Sequence, residues 1–358
     1  MGISFYTFQS ISYVVDVYKQ RIAPTQSWLE YAFYLSFFPQ LVAGPIVRAD
    51  YFLPQLRDNR PATREMTYSG LWLVMVGIVK KAIIADYIAQ YNDLIFTVNP
   101  ATGVPDYSGF ECMMGIIGYT MQIYCDFSGY SDMAIGIALL LGFRFNINFD
   151  SPYKSASITE FWRRWHISLS SWLKDYLYIS LGGNRKGRVR QYINLIITMF
   201  LGGLWHGASW NFVVWGMLHG IALAVHKMWI TLTGSRVGDR GAWWRQTLNV
   251  IITFHFVCFC WIFFRNADFT NSATMLTQIT CSFHGELLPQ LLAGYWKVFV
   301  LIALGYLLHF TPARLEQQAK AVMARAPFWA YVAVMVAAIY LAIQMRSTEI
   351  QPFIYFQF

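Results

Sequence analysis

The chain has 358 residues, of which 56% are hydrophobic, 18% aromatic and only 13% charged. Because soluble domains carry about 25% charged residues, this composition excludes an ordinary water-soluble protein and predicts an integral membrane protein. The net charge of +8 does not indicate nucleic-acid binding, since the cations lie in loops between hydrophobic segments. We therefore expect membrane lipids as partners and expect no binding to nucleic acid.

A helix that spans a membrane needs about 20 apolar residues. In chain order, the candidate spans are 28–47, 70–88, 110–125, 130–143, 192–204, 210–230, 248–264, 291–310 and 328–345. Several are short or interrupted by glycine, and the first contains Pro39 and Pro45. Interrupted spans are tolerated only where protein or a water-filled cavity satisfies the freed backbone groups. The pattern predicts one all-α, polytopic membrane bundle with a hollow.

Cationic loops give the expected topology. Residues 182–190 concentrate four cations and are predicted to face the cytoplasm. Two further loops contain Arg57, Arg60 and Arg64, and then Arg236, Arg240 and Arg245. Hydropathy leaves open whether all three loops lie on one side.

Residues 159–180 are predicted to form one amphipathic helix near the membrane interface, because apolar residues recur at helical spacing. An ion pair between Glu160 and Arg164 would support its first turn. The residues predicted to share the apolar face are Trp162, His166, Leu169, Leu173 and Tyr176.

Two histidines are the main candidates for chemistry. His206 lies between hydrophobic segments and is flanked by glycines that would let a substrate approach its ring. An ionisable residue at membrane depth is a functional hypothesis by default, and histidine transfers protons near neutral pH. The alternative is a structural histidine bonded to a carbonyl. His166 is the second candidate, with an interfacial role as its alternative.

The remaining histidines are weaker candidates. His219 and His255 are possible cavity residues, His226 is interpreted as a helix-end residue, and His284 and His309 as loop or terminal residues. No metal-ligand spacing occurs among histidines or the five cysteines, so no metal site is predicted. The sequence also lacks a GxSxG elbow and a P-loop.

Polar residues also gather at 124–132 and 146–150. Asp126 and Asp132 are predicted to cap the following helix, with the lining of a substrate path as the alternative. Asn146, Asn148 and Asp150 are interpreted as a structural polar turn before Pro152.

Several long motifs resemble the membrane-bound O-acyltransferase family, especially its alginate O-acetylase branch. They lie at 2–9, 126–132, 151–170, 181–185 and 204–207. The resemblance covers nearly the whole of 1–358, treated as one domain, and implies a bundle with a central tunnel or funnel. It implies an active-site histidine at His206 and a second functional histidine at His166. Family members usually have more transmembrane helices before this segment, so the chain is expected to lack them.

The resemblance further implies a multi-pass protein of the bacterial plasma (inner) membrane. The expected reaction is acetyl transfer from a cytoplasmic thioester, acetyl-coenzyme A, to a hydroxyl of an extracytoplasmic polysaccharide, with no bound cofactor. His206 would be the general base, and His166 or Trp205 would stabilise the oxyanion. Arg185 and Arg188 would attract the donor phosphates or act only as topology signals, and Asp126 is a further candidate for substrate binding.

The acceptor remains open between alginate-like or other exopolysaccharides and peptidoglycan. Because the branch works with separate extracytoplasmic acetyltransferase-like proteins, such a partner is also expected. The rival functions are a transporter and a non-enzymatic assembly subunit of a polysaccharide export system.

Overall fold

The structure is a computed structural model that describes residues 2–41, 44–58, 61–99, 106–239 and 241–345. Within these ranges the secondary structure is helical without a β-strand, which confirms the all-α prediction. Arg60 and Arg240 of the cationic loops lie outside the described residues. The α-helices are α1 (Gly2–Tyr18), α2 (Trp28–Ser36), α3 (Ala49–Asp58), α4 (Arg64–Ile78), α5 (Asp86–Phe96), α6 (Gly109–Leu140), α7 (Ile158–Arg164), α8 (Ile167–Trp172), α9 (Arg188–His206), α10 (Trp210–Thr233), α11 (Trp243–Arg265), α12 (Phe269–Cys281), α13 (Leu288–Phe310), α14 (Ala313–Arg325) and α15 (Phe328–Gln344).

Helix α6 lies at the centre of the bundle and packs against α4, α5, α11, α12 and α13. It begins with a capping box, in which Ser108 and Glu111 satisfy each other's backbone N–H groups. Every residue from 118 to 129 is buried. The prediction of separate spans at 110–125 and 130–143 is therefore wrong, because the polar stretch between them continues the helix.

Ion pairs explain why charged residues are tolerated in α6. Asp126 lies 2.5 Å from Lys81, and Asp132 lies 2.7 Å from Lys80. Both lysines belong to a π-helical segment, Val79–Ala85, that joins α4 to α5. The predicted capping role of the two aspartates is wrong, since they lie within α6 and are neutralised from the neighbouring segment.

Two other predicted elements differ in the structure. Residues 28–47 form α2 and a short 3₁₀ helix, Phe38–Gln40, in which Pro39 cannot continue the α-helical hydrogen bonds. Residues 159–180 form α7, α8 and a π-helical segment, Leu173–Tyr178, with a break at His166. The predicted apolar face is nevertheless buried, and Glu160 pairs with Arg164 at 3.0 Å.

Three helical segments of the described chain are long and apolar enough to cross a membrane, namely Trp210–Thr233, Trp243–Arg265 and Gly285–Phe310. They coincide with predicted spans, and they agree with the membrane location expected from composition. Apart from 28–47, 110–125 and 130–143, which differ as described above, the other hydrophobic segments remain predicted spans. Of the five cysteines, Cys281 is exposed and the other four are buried.

We expect Lys81→Met to destabilise the protein by about 3–5 kcal/mol, because it leaves the buried Asp126 carboxylate without its cation. Thermal unfolding in detergent measures the effect. Arg57→Ala is the matched control, since its pair with Glu30 is exposed to solvent, which screens the interaction. A Lys81→Met protein as stable as the Arg57→Ala control would contradict this account of α6.

Candidate active site

A close helical hairpin positions His206 at the end of α9. α9 and α10 pack in antiparallel fashion, with Gly203 opposite Phe212 and Gly216 opposite Met199. A Cβ on Gly203 would lie 2.3 Å from the Phe212 carbonyl oxygen, and one on Gly216 would lie 2.5 Å from that of Met199. Glycine is therefore required for helix contact at these positions, and substrate approach does not explain it there.

A strained turn positions His166 between α7 and α8. Its backbone has φ 42° and ψ 56°, a left-handed conformation that is uncommon for a residue with a side chain. The turn is held by Asn148, whose carbonyl oxygen accepts from the Ile167 N–H at 2.9 Å. The Asn148 side-chain oxygen accepts from the Ser168 N–H at 3.1 Å. This turn directs a buried imidazole inward from a short loop.

Both histidines line one narrow internal cavity. Its volume is about 10 Å³, which is close to the minimum for one water molecule. The walls are otherwise apolar and strongly aromatic. Besides His166 and His206, the lining residues are Trp162, Trp165, Leu169, Leu173, Met199, Gly202, Trp215, Trp261 and Phe264.

Aromatic rings restrict both imidazoles. The His206 ring meets Trp215 and Phe264 edge to face, with centroids 5.2 Å and 4.9 Å away. The His166 ring meets Phe127 of α6 edge to face at 4.7 Å. These contacts restrict the orientation of both ring planes.

The other predicted site residues lie outside this cavity. Trp205 packs against Phe8 and His206, with ring centroids 5.2 Å and 4.7 Å away, and contributes no cavity wall. Asp126 is engaged with Lys81 in α6. The structure therefore gives Asp126 a pairing role within the bundle and does not bring it to the histidines.

Arg185 and Arg188 are exposed and lie at the opposite end of α9 from His206. At a rise of 1.5 Å per residue, the helix separates Arg188 from His206 by about 27 Å. The two arginines therefore belong to a surface that is separate from the cavity.

From the sequence, Trp162 was placed on the same face as His166, but the other aromatic residues that line the cavity were not identified, namely Trp165, Trp215, Trp261 and Phe264. Helical spacing could have indicated them, because Trp261 and Phe264 lie three residues apart on α11. On the side away from the cavity, the indole N–H of Trp162 donates to Nδ1 of His219 at 3.3 Å. His219 is thus a buried supporting residue, one layer outside the cavity.

The remaining histidines have other surroundings. His226 bonds the Thr159 hydroxyl at 2.7 Å, His255 is exposed, and His284 lies 2.8 Å from Glu286. His309, interpreted from sequence as a terminal residue, is instead buried and accepts from the Tyr153 N–H at 3.1 Å. Among the residues described, no group of three or more histidine, cysteine or acidic side chains could hold a metal ion.

Comparison with known proteins gives a consistent assignment. The model of MBOAT, the membrane-bound O-acyltransferase family, matches residues 19–265. The probable alginate O-acetylase AlgI of Pseudomonas aeruginosa is 47% identical over 266 residues, which cover 74% of this chain and 48% of the relative. The peptidoglycan O-acetyltransferase of Helicobacter pylori is 40% identical over 302 residues, covering 77% of this chain and 56% of the relative.

A more distant relative is the teichoic acid D-alanyltransferase of Bacillus subtilis. It is 27% identical over 289 residues, covering 75% of this chain and 69% of the relative. The chain spans about half the length of the alginate O-acetylases that it matches.

We expect Gly203→Ala to destabilise the α9–α10 hairpin by about 1–3 kcal/mol or more, because the added methyl overlaps a backbone carbonyl. Gly202→Ala is the matched control, since its methyl would contact only the Leu173 side chain at an ordinary 3.4 Å. Thermal unfolding of both variants in detergent provides the measurement. Equal thermal midpoints for the two variants would argue against the hairpin contact.

Proposed function

Because this chain belongs to the membrane-bound O-acyltransferase family, we propose that it moves an acyl group from a thioester donor to a hydroxyl acceptor inside the membrane. The observation that carries this proposal is the convergence of His206 and His166 on one aromatic-walled cavity. Two proton-exchanging side chains from separate elements suit acyl transfer, which removes a proton from the acceptor and returns one to the leaving group.

In the proposed reaction, His206 is the general base. It takes the proton of the acceptor hydroxyl while the hydroxyl oxygen attacks the thioester carbonyl carbon. Collapse of the tetrahedral intermediate breaks the carbon–sulfur bond, and the leaving thiolate takes the proton from His206. A positioned base contributes about 10²–10⁴-fold to such a step.

The oxyanion of the intermediate requires a hydrogen-bond donor. Trp215 lines the cavity, and its buried indole N–H has no hydrogen-bond partner among the described residues. We therefore assign the donor role to Trp215. This assignment replaces the sequence-based expectation of Trp205, which does not reach the cavity wall.

We propose acetyl-coenzyme A as the donor, held at the cytoplasmic face. The relatives named as O-acetylases are 40–47% identical to this chain, whereas the D-alanyltransferase is 27% identical. This order favours an acetyl group. If Arg185 and Arg188 bind the donor phosphates at the cytoplasmic end of α9, the thioester must extend along the helix toward His206.

The proposed acceptor is an extracytoplasmic polysaccharide of the alginate type, and the proposed location is the bacterial inner membrane with several spans. Peptidoglycan is the alternative acceptor, because a peptidoglycan O-acetyltransferase is among the relatives. The cavity lined by two histidines favours an enzyme over an assembly subunit, which needs no proton-exchanging pair. Consumption of the thioester distinguishes the enzyme from a transporter, which can also use proton-exchanging residues.

We expect His206→Ala to reduce acetyl transfer by at least about 10²-fold, because the acceptor then loses its general base. Purified protein in lipid, with labelled acetyl-coenzyme A and a polysaccharide acceptor, provides the assay. His166→Ala should also impair transfer, and thermal midpoints should stay near that of the unmodified protein. His255→Ala, an exposed histidine, is the matched control and should be fully active.

Near-normal transfer by His206→Ala would remove the assignment of the base. Transport of substrate without thioester consumption by the unmodified protein would favour the transporter.

We also expect a second protein to complete the reaction, since the described part of this chain has only short polar segments to hold a polymer outside the membrane. Sealed vesicles with acetyl-coenzyme A on one side and polysaccharide on the other test this relay. Polymer acetylation should require an extracytoplasmic acetyltransferase-like partner. Full-rate acetylation by this chain alone would show that no relay partner is needed.

A further inference from the structure

The side-chain amide of Asn148 has a fixed orientation. The Ser168 backbone N–H, which can only donate, points to Oδ1 at 3.1 Å, and the Ser168 hydroxyl donates to the same atom at 2.9 Å. On the other side, Nδ2 of Asn148 donates to the Ser131 hydroxyl of α6 at 3.2 Å. The atom that Asn148 presents toward the loop is therefore its oxygen.

The same oxygen lies 3.3 Å from Nδ1 of His166. Because an amide oxygen only accepts, Nδ1 must be the protonated nitrogen. A neutral imidazole with its proton on Nδ1 has a lone pair on Nε2. The contact with Asn148 thus selects one of the two neutral tautomers.

Nε2 of His166 is the atom left for other partners. It is buried and has no hydrogen-bond partner among the described residues, although His166 lines the cavity. A buried acceptor without a partner is energetically unfavourable, because it has lost its hydrogen bonds to water. The strained backbone at His166 adds a further cost, and such features are typical of a group whose partner is a substrate.

We propose that Asn148 is a positioning residue that holds neutral His166 with its proton on Nδ1, so that Nε2 accepts a hydrogen bond from the substrate in the cavity. This inference rests on the proposed acyl transfer to a polysaccharide. The attacking hydroxyl gives its single proton to His206, so the donor that Nε2 would meet is a neighbouring hydroxyl of the same acceptor. In this role His166 accepts a hydrogen bond from a substrate hydroxyl. The sequence-based expectation was that it would donate a hydrogen bond to the oxyanion. The inference also gives Asn148 a function beyond the polar turn to which it was first assigned.

The charged surroundings of His166 make this role testable by pH. Across the cavity, the titratable group that faces it is His206 of α9. On α6, Asp126 adjoins Phe127 and is paired with Lys81. On α7, Arg164 is paired with Asp150 and Glu160.

Protonation of Nε2 removes the lone pair, so activity should fall at acid pH. In Asn148→Asp, a carboxylate next to Nδ1 stabilises the imidazolium and raises the pKa of His166. The acid limb of the kcat/KM profile should therefore move to higher pH.

The direct test is ¹⁵N NMR of the unmodified protein in lipid, labelled at histidine, with the His166 signals identified by their loss in His166→Ala. We expect a protonated Nδ1 and an unprotonated Nε2. In Asn148→Leu this preference should weaken, and kcat should fall between about 10- and 100-fold, as for a misplaced reacting group. Asn146→Leu, an exposed asparagine of the same turn, is the matched control and should leave both measurements unchanged.

A proton on Nε2 of His166 in the unmodified protein would overturn the proposal, whether or not any variant folds. An unshifted acid limb in folded Asn148→Asp would also overturn it. If the unmodified protein transfers no acyl group, the proposed function fails, while the NMR result still decides the role of Asn148.

Discussion

The pairing of buried charge between α6 and the adjacent π-helical segment is the constraint on which the site depends. Lys80 and Lys81 pair with Asp132 and Asp126, and these contacts fix the rotation of α6 about its axis. Neighbouring α6 positions consequently face the candidate site. Phe127 packs against the His166 ring, and Ser131 accepts from Asn148. Charge neutralisation on one face of α6 thus helps to set the packing of the loop at His166 on another face.

The helical class and the membrane location could be predicted from composition, since lipid-facing helices carry their signal in mean hydropathy. The continuity of α6 could not be predicted from composition. Two aspartates in a hydrophobic segment indicate a loop unless the lysines that neutralise them are known to lie beside them. Such pairing is a tertiary property that a window of sequence does not contain. The end of the helix near Pro39, in contrast, could have been predicted locally. Proline does not continue an α-helix, so the predicted span at 28–47 should have been shorter.

The candidate site was predicted in part for a similar reason. His206 and His166 stand out because ionisable groups are rare in apolar segments. The break at His166 was not predicted. The left-handed conformation of this non-glycine residue depends on contacts from Asn148, which lies well before it in the chain. Arg185 and Arg188 were predicted from their charge to bind the donor phosphates or to act as topology signals, and charge alone could not show that they lie at the opposite end of α9 from His206.

The tight glycine contact between α9 and α10 has a consequence for how the cavity is filled. Small-molecule sites usually enclose about 300–1,000 Å³, whereas the space between the histidines is about 10 Å³. Backbone atoms of α9 and α10 already touch at Gly203 and Gly216, so this hairpin forms the immobile wall. A substrate larger than a water molecule needs a wider cavity, and another wall is formed by α7 and α8, which are short and meet at a strained joint. In the proposed acyl transfer, His166 would therefore be both the residue at this strained joint and a residue that the substrate meets.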